Sequence, residues 1–149
     1  MPEPNAETLQ NIMSEPVYAI GLVAKKLDIA VPTIRMYEHA GLILPQRTET
    51  GRRLYSRNDI ARLQIIIDLI RNHGLNLEAI KRLAAMTPCW RIIACPEEKY
   101  RTCRAYIENS IPCWLLPETT CGKTKDQCRT CPVYLSCPKT LQDPKSLFK

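Results

Sequence analysis

The chain has 149 residues and a net charge of +6, because 21 lysine and arginine side chains outnumber 15 aspartates and glutamates. This length fits one medium domain or two small ones, and the positive charge is compatible with a polyanionic partner such as nucleic acid. No apolar run is long enough to span a bilayer, and the acidic, proline-containing N-terminus lacks the pattern of a secretion signal. We therefore expect a cytoplasmic protein with no membrane partner, in which cysteines stay reduced.

The first half of the chain is predicted to be helical after a disordered arm at residues 1–16. Apolar residues recur at helical spacing from residue 17 to residue 86. The first helix is predicted at residues 20–27 and the second at residues 31–40, where Gly41 provides a C-cap. Such a pair of short helices joined by a tight turn is typical of a helix-turn-helix.

A basic hairpin and two further helices are predicted next. Gly51 and Tyr55 in the segment GRRLYS indicate a turn followed by a brief strand. Ser56 is positioned to cap a third helix, with Asp59 completing a capping box, and a fourth helix begins after Asn76. This order of elements predicts a winged helix-turn-helix, although charge and periodicity alone support DNA binding and simple packing about equally. The densest basic patch of the chain consists of Arg47, Arg52, Arg53 and Arg57.

The last third of the chain has a different composition and is predicted to be a separate module. All eight cysteines follow residue 87, which we take as a domain boundary. The module at residues 87–138 contains an imperfect repeat, whose copies open with Pro-Cys-Trp at Pro88 and Pro112 and close with Cys-x-x-Tyr. Residues 139–149 are predicted to form a loose tail.

Three segments of the first half resemble a known family. TIRMYEHAGLILPQR, GRRLYSRNDIARL and HGLNLEAIKRL are similar to the MerR family of bacterial transcription regulators, and the resemblance covers residues 17–86. Met36 and Arg52 stand where the family usually has aromatic residues. Both departures look like the heat-shock-repressor branch of the family.

The resemblance implies DNA contacts and partners. Arg35 would pair with guanine or a phosphate, and the wing would grip the DNA backbone. Family members bind double-stranded DNA as homodimers on inverted repeats in promoters, where RNA polymerase is a further partner. Prolines in the tail rule out the long helix that usually joins the dimer, and the longest remaining candidate is residues 96–110. The predicted DNA contacts are Thr33, Arg35, Tyr37, Arg52, Arg53 and Tyr55.

Eight cysteines in a reducing compartment indicate metal ligands or redox sensors rather than permanent disulfides. Only Cys128 and Cys131 form a Cys-x-x-Cys pair, so the irregular spacing slightly favours an iron–sulfur cluster over zinc. A metal-free dithiol switch and a set of inert buried thiols are further alternatives. The repeat also resembles the two-CW cysteine modules of bacterial signalling proteins, which does not decide the metal. The candidate ligands are Cys89, Cys95, Cys103, Cys113, Cys121, Cys128, Cys131 and Cys137.

The predicted fold class is mainly α, with a winged helix-turn-helix of the MerR type followed by a small cysteine-rich, metal-stabilised module. The predicted function is sequence-specific transcriptional regulation, in which a thiolate-bound metal controls DNA binding or promoter distortion. The alternative is a DNA-binding protein whose cysteine module is a structural, zinc-bound interaction domain without a sensing role. An enzyme is not expected, because no Ser-His-Asp set, glycine-rich phosphate loop or histidine-bearing metal site is visible.

Overall fold

The computed structural model describes residues 2–145 of the chain. These residues form mainly helices, as predicted, together with one small sheet and a 3-10 turn at Cys113–Leu115. None of the described helices is long and apolar enough to cross a membrane. The helices are α1 (Ala6–Ser14), α2 (Ile20–Leu27), α3 (Val31–His39), α4 (Arg57–Arg71), α5 (Leu77–Ala85), α6 (Cys89–Ile92), α7 (Glu97–Tyr100), α8 (Arg104–Glu108), α9 (Lys125–Arg129) and α10 (Pro132–Gln142). The strands are β1 (Tyr18–Ala19), β2 (Gln46–Arg47) and β3 (Arg53–Tyr55).

The helices predicted in the first half are confirmed, because each has a local start or stop signal. Helix α2 covers the predicted residues 20–27, and α3 ends at His39, shortly before Gly41 at φ +76°. At the start of α4, Ser56 Oγ accepts a hydrogen bond from the Asp59 N–H at 3.1 Å. Asp59 Oδ2 in turn accepts from the Ser56 N–H at 2.8 Å. This reciprocal pair is the predicted capping box.

The sheet fixes the wing to the start of the helix-turn-helix. Strand β3 lies in the centre and pairs antiparallel with both β1 and β2. Tyr55 lies opposite Tyr18, and Arg53 lies opposite Arg47. The hairpin formed by β2 and β3 is therefore the predicted wing, and β1 joins it to α2.

The prediction of a disordered arm at residues 1–16 is wrong for Ala6–Ser14, which forms α1. Asn5 Oδ1 accepts from the Thr8 N–H at 2.8 Å and caps this helix. Helix α1 contacts α4, but none of its residues is buried. Leu9, Ile12 and Met13 recur at helical spacing after the Asn5 cap, so the sequence carries a signal for this helix that the prediction missed.

Two predictions about the second half are also wrong. The loose tail was expected at residues 139–149, but α10 continues through residues 139–142 and buries Leu141, while residues 146–149 lie outside the described residues. Pro132 is tolerated in the first turn of α10, because its missing N–H needs no helical partner there. The candidate helix at residues 96–110 is broken into α7 and α8, because Cys103 has an extended backbone with φ −77° and ψ 133°.

The cysteine-rich part and the helix-turn-helix share one hydrophobic core. Ile34 and Leu63 from the first half pack in the same cluster as Trp114 and Tyr134 from the second. Helix α10 packs against both α4 and α5. The predicted boundary near residue 87 therefore marks a change of composition and not a break in packing.

Candidate DNA-binding surface and cysteine cavity

Helix α3 presents the residues that are expected to read DNA. Ile34 and Tyr37 lie in the core and are at most 5 % exposed, whereas Arg35 and Met36 are exposed. Thr33 is half-buried on the same helix. A helix with these two faces can enter a major groove while its inner residues anchor it to the domain.

The wing is a tight hairpin whose arginines are held at different depths. The Thr48 N–H donates to the Arg52 carbonyl at 2.8 Å, and the Arg52 side chain is exposed at the tip. Arg53 is half-buried, and its Nε donates to Oε2 of Glu38 on α3. Arg47 Nη2 donates to Oε1 of the same carboxylate at 3.2 Å. Glu38 therefore ties the wing to α3 and fixes their relative positions.

Two tyrosines predicted to contact DNA lie in the core instead. Tyr55 is 0 % exposed, and Tyr37 is buried on the inner face of α3. Burial raises the pKa of Tyr55 to about 12, and its hydroxyl has no hydrogen-bond partner among the described residues. The predicted phosphate grip by Tyr55 is therefore corrected to a packing role, because its ring belongs to the core cluster. Tyr37 keeps only the packing part of its predicted role.

Further cations that the sequence reasoning did not name as DNA contacts lie beside the predicted ones. Arg47 lies opposite Arg53 across the hairpin. Arg57 is exposed at the start of α4, where its Nε donates to the Tyr18 hydroxyl at 3.3 Å. Lys26 lies over the same ring, 5.6 Å from its centroid. The dense run of arginines in the sequence was the signal for Arg47 and Arg57.

One cavity of about 780 Å³ gathers most of the cysteines. Cys137 lies elsewhere: it is fully buried in the core cluster that also contains Tyr134 and Leu141. The predicted set of eight candidate ligands is therefore corrected to seven, because α10 places Cys137 against the core instead of the cavity. The cavity wall contains thiols from both copies of the repeat, namely Cys89, Cys95, Cys103, Cys113, Cys121, Cys128 and Cys131.

The seven thiols line the wall of the cavity and do not converge on the position of a single metal ion. Among residues 2–145, no three or more histidine, cysteine, aspartate or glutamate side chains are arranged to hold one metal ion. A single zinc ion needs four ligands, with sulfur at about 2.3 Å from the metal. The cavity has room for a larger group, and its thiols are the soft donors that zinc and iron–sulfur clusters prefer.

The thiols differ in how readily they lose a proton. Burial, reinforced by neighbouring thiols, raises the pKa of Cys89 to about 11 and that of Cys113 to about 12. Burial acts to raise the pKa of Cys103, but hydrogen bonds from Thr120, Ala105 and Tyr106 together outweigh it and lower this pKa. Lys123 Nζ lies 3.1 Å from a cavity sulfur, the Sγ of Cys131. Cys89 and Cys113 therefore stay neutral near pH 7 unless a cation replaces their protons.

The raised thiol pKa values predict a pH dependence for the metal-free, reduced protein. Above pH 9, the unfolded chain releases thiol protons that folded Cys89 and Cys113 retain. The free energy of unfolding should therefore fall as the pH rises through this range. Denaturant unfolding between about pH 8 and pH 10.5 measures the slope. The Cys113→Ser variant should show a shallower slope, and an identical slope in both proteins would contradict the prediction.

The exposed helix face and the adjoining basic wing define a winged helix-turn-helix DNA-binding domain. Residues 18–87 match the family model described as MerR HTH family regulatory protein. This part of the chain is therefore a MerR-type helix-turn-helix domain, which confirms the resemblance seen in the sequence.

Curated relatives align with this chain over lengths similar to that of the family match. The chain is 40 % identical over 73 residues to the HTH-type transcriptional regulator GlnR of Bacillus anthracis, covering 49 % of this chain and 56 % of the relative. It is 38 % identical over 68 residues to a heat shock protein named HspR from Streptomyces coelicolor, covering 46 % and 45 %. It is also 38 % identical over 71 residues to the HTH-type transcriptional regulator ZntR of Escherichia coli, covering 47 % and 50 %. The chain thus spans about half the length of the curated relatives it matches, and a relative with a heat-shock name is among them.

Proposed function

We propose that the protein is a sequence-specific, DNA-binding transcriptional regulator. It acts as a homodimer on an inverted repeat in a promoter, where RNA polymerase also binds. The MerR-type domain, the exposed face of α3 and the basic wing support this proposal. Phosphate contacts give affinity and side chains in the groove give specificity. The proposed contacts are Thr33, Arg35, Arg52 and Arg53, joined by Arg47 and Arg57.

The second part of the proposal is a thiolate-bound metal centre that controls DNA binding. The observation that carries it is the convergence of seven cysteines, from both repeat copies, on one cavity. Four thiolates are enough to hold an iron–sulfur cluster. The irregular cysteine spacing and a cavity larger than a single ion favour such a cluster over zinc.

Four cysteines of the second repeat copy are the best candidate ligands. The charge of a Cys113 thiolate would act most strongly on Cys89 of the first copy and next on three other thiols of the second copy. Cys128 is coupled in the same way to two of these three. Lys123 would offset part of the accumulated negative charge, because its ammonium group lies beside Cys131. The proposed ligands are Cys113, Cys121, Cys128 and Cys131.

The chain would hold the centre and restrict its access to water. When bound, an iron–sulfur cluster supplies electron exchange and sensitivity to oxidants. Trp114 is 3 % exposed and lines the cavity together with Leu115, so apolar side chains shield this part of the wall. Because the ligands must lose protons, the high pKa of Cys113 makes metal affinity increase with pH.

Protein purified without oxygen is expected to contain iron and acid-labile sulfide and to absorb visible light. The variants Cys113→Ser and Cys128→Ser should lose most of the iron, because each lacks one ligand. Cys137→Ser should retain iron, because Cys137 lies outside the cavity. Metal analysis and absorption spectra measure these outcomes, and circular dichroism checks that each variant is folded.

Three results would change the proposal in different ways. A colourless protein that contains zinc would replace the cluster with a zinc site. A colourless protein with neither iron nor zinc would exclude the metal centre. Loss of iron in Cys137→Ser but not in Cys113→Ser would overturn the ligand assignment.

A structural zinc module without sensing is the second candidate function. Trp114 and Tyr134 belong to the shared core. In this second candidate function, a metal beside them stabilises the fold and has no other role. In that case, DNA affinity should not respond to oxidant while the protein stays folded. A sensing site should change DNA affinity in a folded chain. Affinity for a duplex selected by the wild-type protein, measured with and without oxidant, separates the two functions.

A further inference from the structure

The segment that joins α3 to β2 is held by the cysteine-rich part of the chain. Trp114 Nε1 donates to the Gly41 carbonyl at 2.7 Å. The Leu44 N–H donates to the Tyr134 hydroxyl at 2.8 Å. These partners lie 73 and 90 positions apart in the sequence. We call residues 41–44 the recognition linker, because they connect the helix that reads DNA to the wing.

The two aromatic side chains that hold the recognition linker also line the cysteine cavity. Trp114 directly follows Cys113, and Tyr134 lies in the first turn of α10, three residues after Cys131. The two rings meet edge to face, with 5.1 Å between centroids and 89° between planes. This aromatic pair therefore contacts the thiol-lined space and the recognition linker at the same time.

Arg62 of α4 fixes the aromatic pair in place. Its guanidinium carbon lies 3.8 Å from the Tyr134 ring centroid and 5.2 Å from that of Trp114. Its Nε donates to the Leu42 carbonyl at 2.6 Å, and its Nη1 donates to the Tyr134 carbonyl at 2.7 Å. Pro138 follows Tyr134 by four residues inside α10 and has no N–H to offer this carbonyl. Arg62 therefore replaces a missing helical donor.

The recognition linker has little room to absorb movement. A Cβ at Gly41 would overlap the Leu115 side chain, and Leu42 and Ile43 are fully buried. Arg62 is 2 % exposed, so separating it from its partners would leave a buried charge and two buried carbonyls unpaired. The buried contact of Arg62 therefore favours a change of the recognition linker between discrete positions over a gradual displacement.

We propose that Trp114 and Tyr134 transmit the state of the cysteine cavity to the recognition linker, with Arg62 as the residue that fixes them. This inference rests on the proposed function, because it requires a metal centre whose state changes. Movement of Cys113 or Cys131 displaces the neighbouring ring, and the ring displaces the recognition linker. The angle between α3 and the wing then changes, and DNA affinity changes with it. Both rings act as positioning residues.

The test compares tryptophans at equivalent positions of the two repeat copies. Trp114→Phe removes the donor to Gly41. Trp90→Phe is the matched control, because Trp90 packs against Tyr100 and Tyr106. The affinity of each full-length protein for a duplex selected by the wild type is measured after loading with ferrous iron and sulfide, and after chelation. A parallel series uses Zn²⁺. The ratio of the DNA affinity of the loaded protein to that of the chelated protein measures the coupling between the metal site and DNA binding. Such ratios are typically on the order of 5- to 150-fold.

Trp114→Phe should load as much metal as the wild type but bring the ratio close to 1, whereas Trp90→Phe should keep the wild-type ratio. Tyr134→Phe removes only the hydroxyl bonded to Leu44, so it should lower the ratio and speed amide hydrogen exchange at Leu44. This milder variant decides the question if Trp114→Phe folds poorly. A wild-type ratio that persists in both variants overturns this inference alone. A ratio of 1 in the wild type itself overturns the sensing function, and this inference with it.

Discussion

Replacing Arg62 with methionine is expected to lower the free energy of unfolding by about 3 kcal/mol, because two buried carbonyls lose a donor at about 1–3 kcal/mol each. The carbonyls belong to Leu42 and Tyr134, which join the helix-turn-helix to α10. Methionine retains much of the apolar volume, so an empty cavity adds little. The variant no longer has to bury a charge, and this raises the free energy of unfolding. The net loss of stability is therefore smaller than the sum for the two broken hydrogen bonds. Denaturant unfolding measures the difference.

Two further variants make this test specific. Arg71→Met, at the exposed end of the same helix, should change stability by less than about 0.5 kcal/mol. Pro138→Ala gives α10 an N–H for the Tyr134 carbonyl, so it should recover part of the stability lost in Arg62→Met. If Arg62→Met is as stable as the wild type, the role assigned to Arg62 is wrong.

The helix-turn-helix could be predicted from the sequence because its signals are local. Ser56 and Asp59 are three residues apart and form their capping box without help from the rest of the fold. Gly41 likewise marks the end of α3, because its positive φ suits a residue without a side chain. Signals of this kind predict where helices begin and end, but they do not show which distant segment packs against them.

Arg62 shows what such signals leave out. An arginine on an amphipathic helix is usually exposed, and nothing adjacent in the sequence indicates that this one is buried. Its burial depends on Trp114 and Tyr134, which lie far along the chain. The one local trace is Pro138, because a proline four residues after Tyr134 leaves a helical carbonyl in need of another donor. That trace has meaning only once α10 is known to be a helix.

The cysteine cavity shows the same difference between what local sequence signals predict and what contacts between distant segments decide. Spacing predicted a soft-ligand site, but it could not show that thiols of both repeat copies share one cavity. Cys131 is the N-cap of α10 and lines the cavity, whereas Cys137 lies inside the helix and packs in the core cluster. The two sulfurs therefore face different surroundings, although they are close in the sequence. No helix was predicted over these residues, so the two cysteines were assigned to the same set of candidate ligands.

Arg35→Ala is expected to weaken binding to the selected duplex by at least about 30-fold, because a contact of this kind to a base contributes about 1–3 kcal/mol and the proposed homodimer would make it twice. The fold should be unaffected, since Arg35 is exposed while Ile34 and Tyr37 hold α3 to the core. Fluorescence anisotropy on a labelled duplex measures the loss, and competition with unrelated duplexes measures the accompanying loss of specificity.

Two arginines provide the controls for this prediction. Arg101→Ala removes an exposed arginine that is paired with Glu97 in the cysteine-rich part, and it should leave affinity unchanged. Arg52→Ala, at the tip of the wing, should weaken binding to all sequences alike. It should also reduce the slope of log affinity against log salt concentration by about one released counterion per protomer. The three variants thus separate reading of bases from attraction to phosphates. If Arg35→Ala and Arg101→Ala bind equally well, the exposed face of α3 does not read DNA, and the recognition linker would have no recognition helix to control.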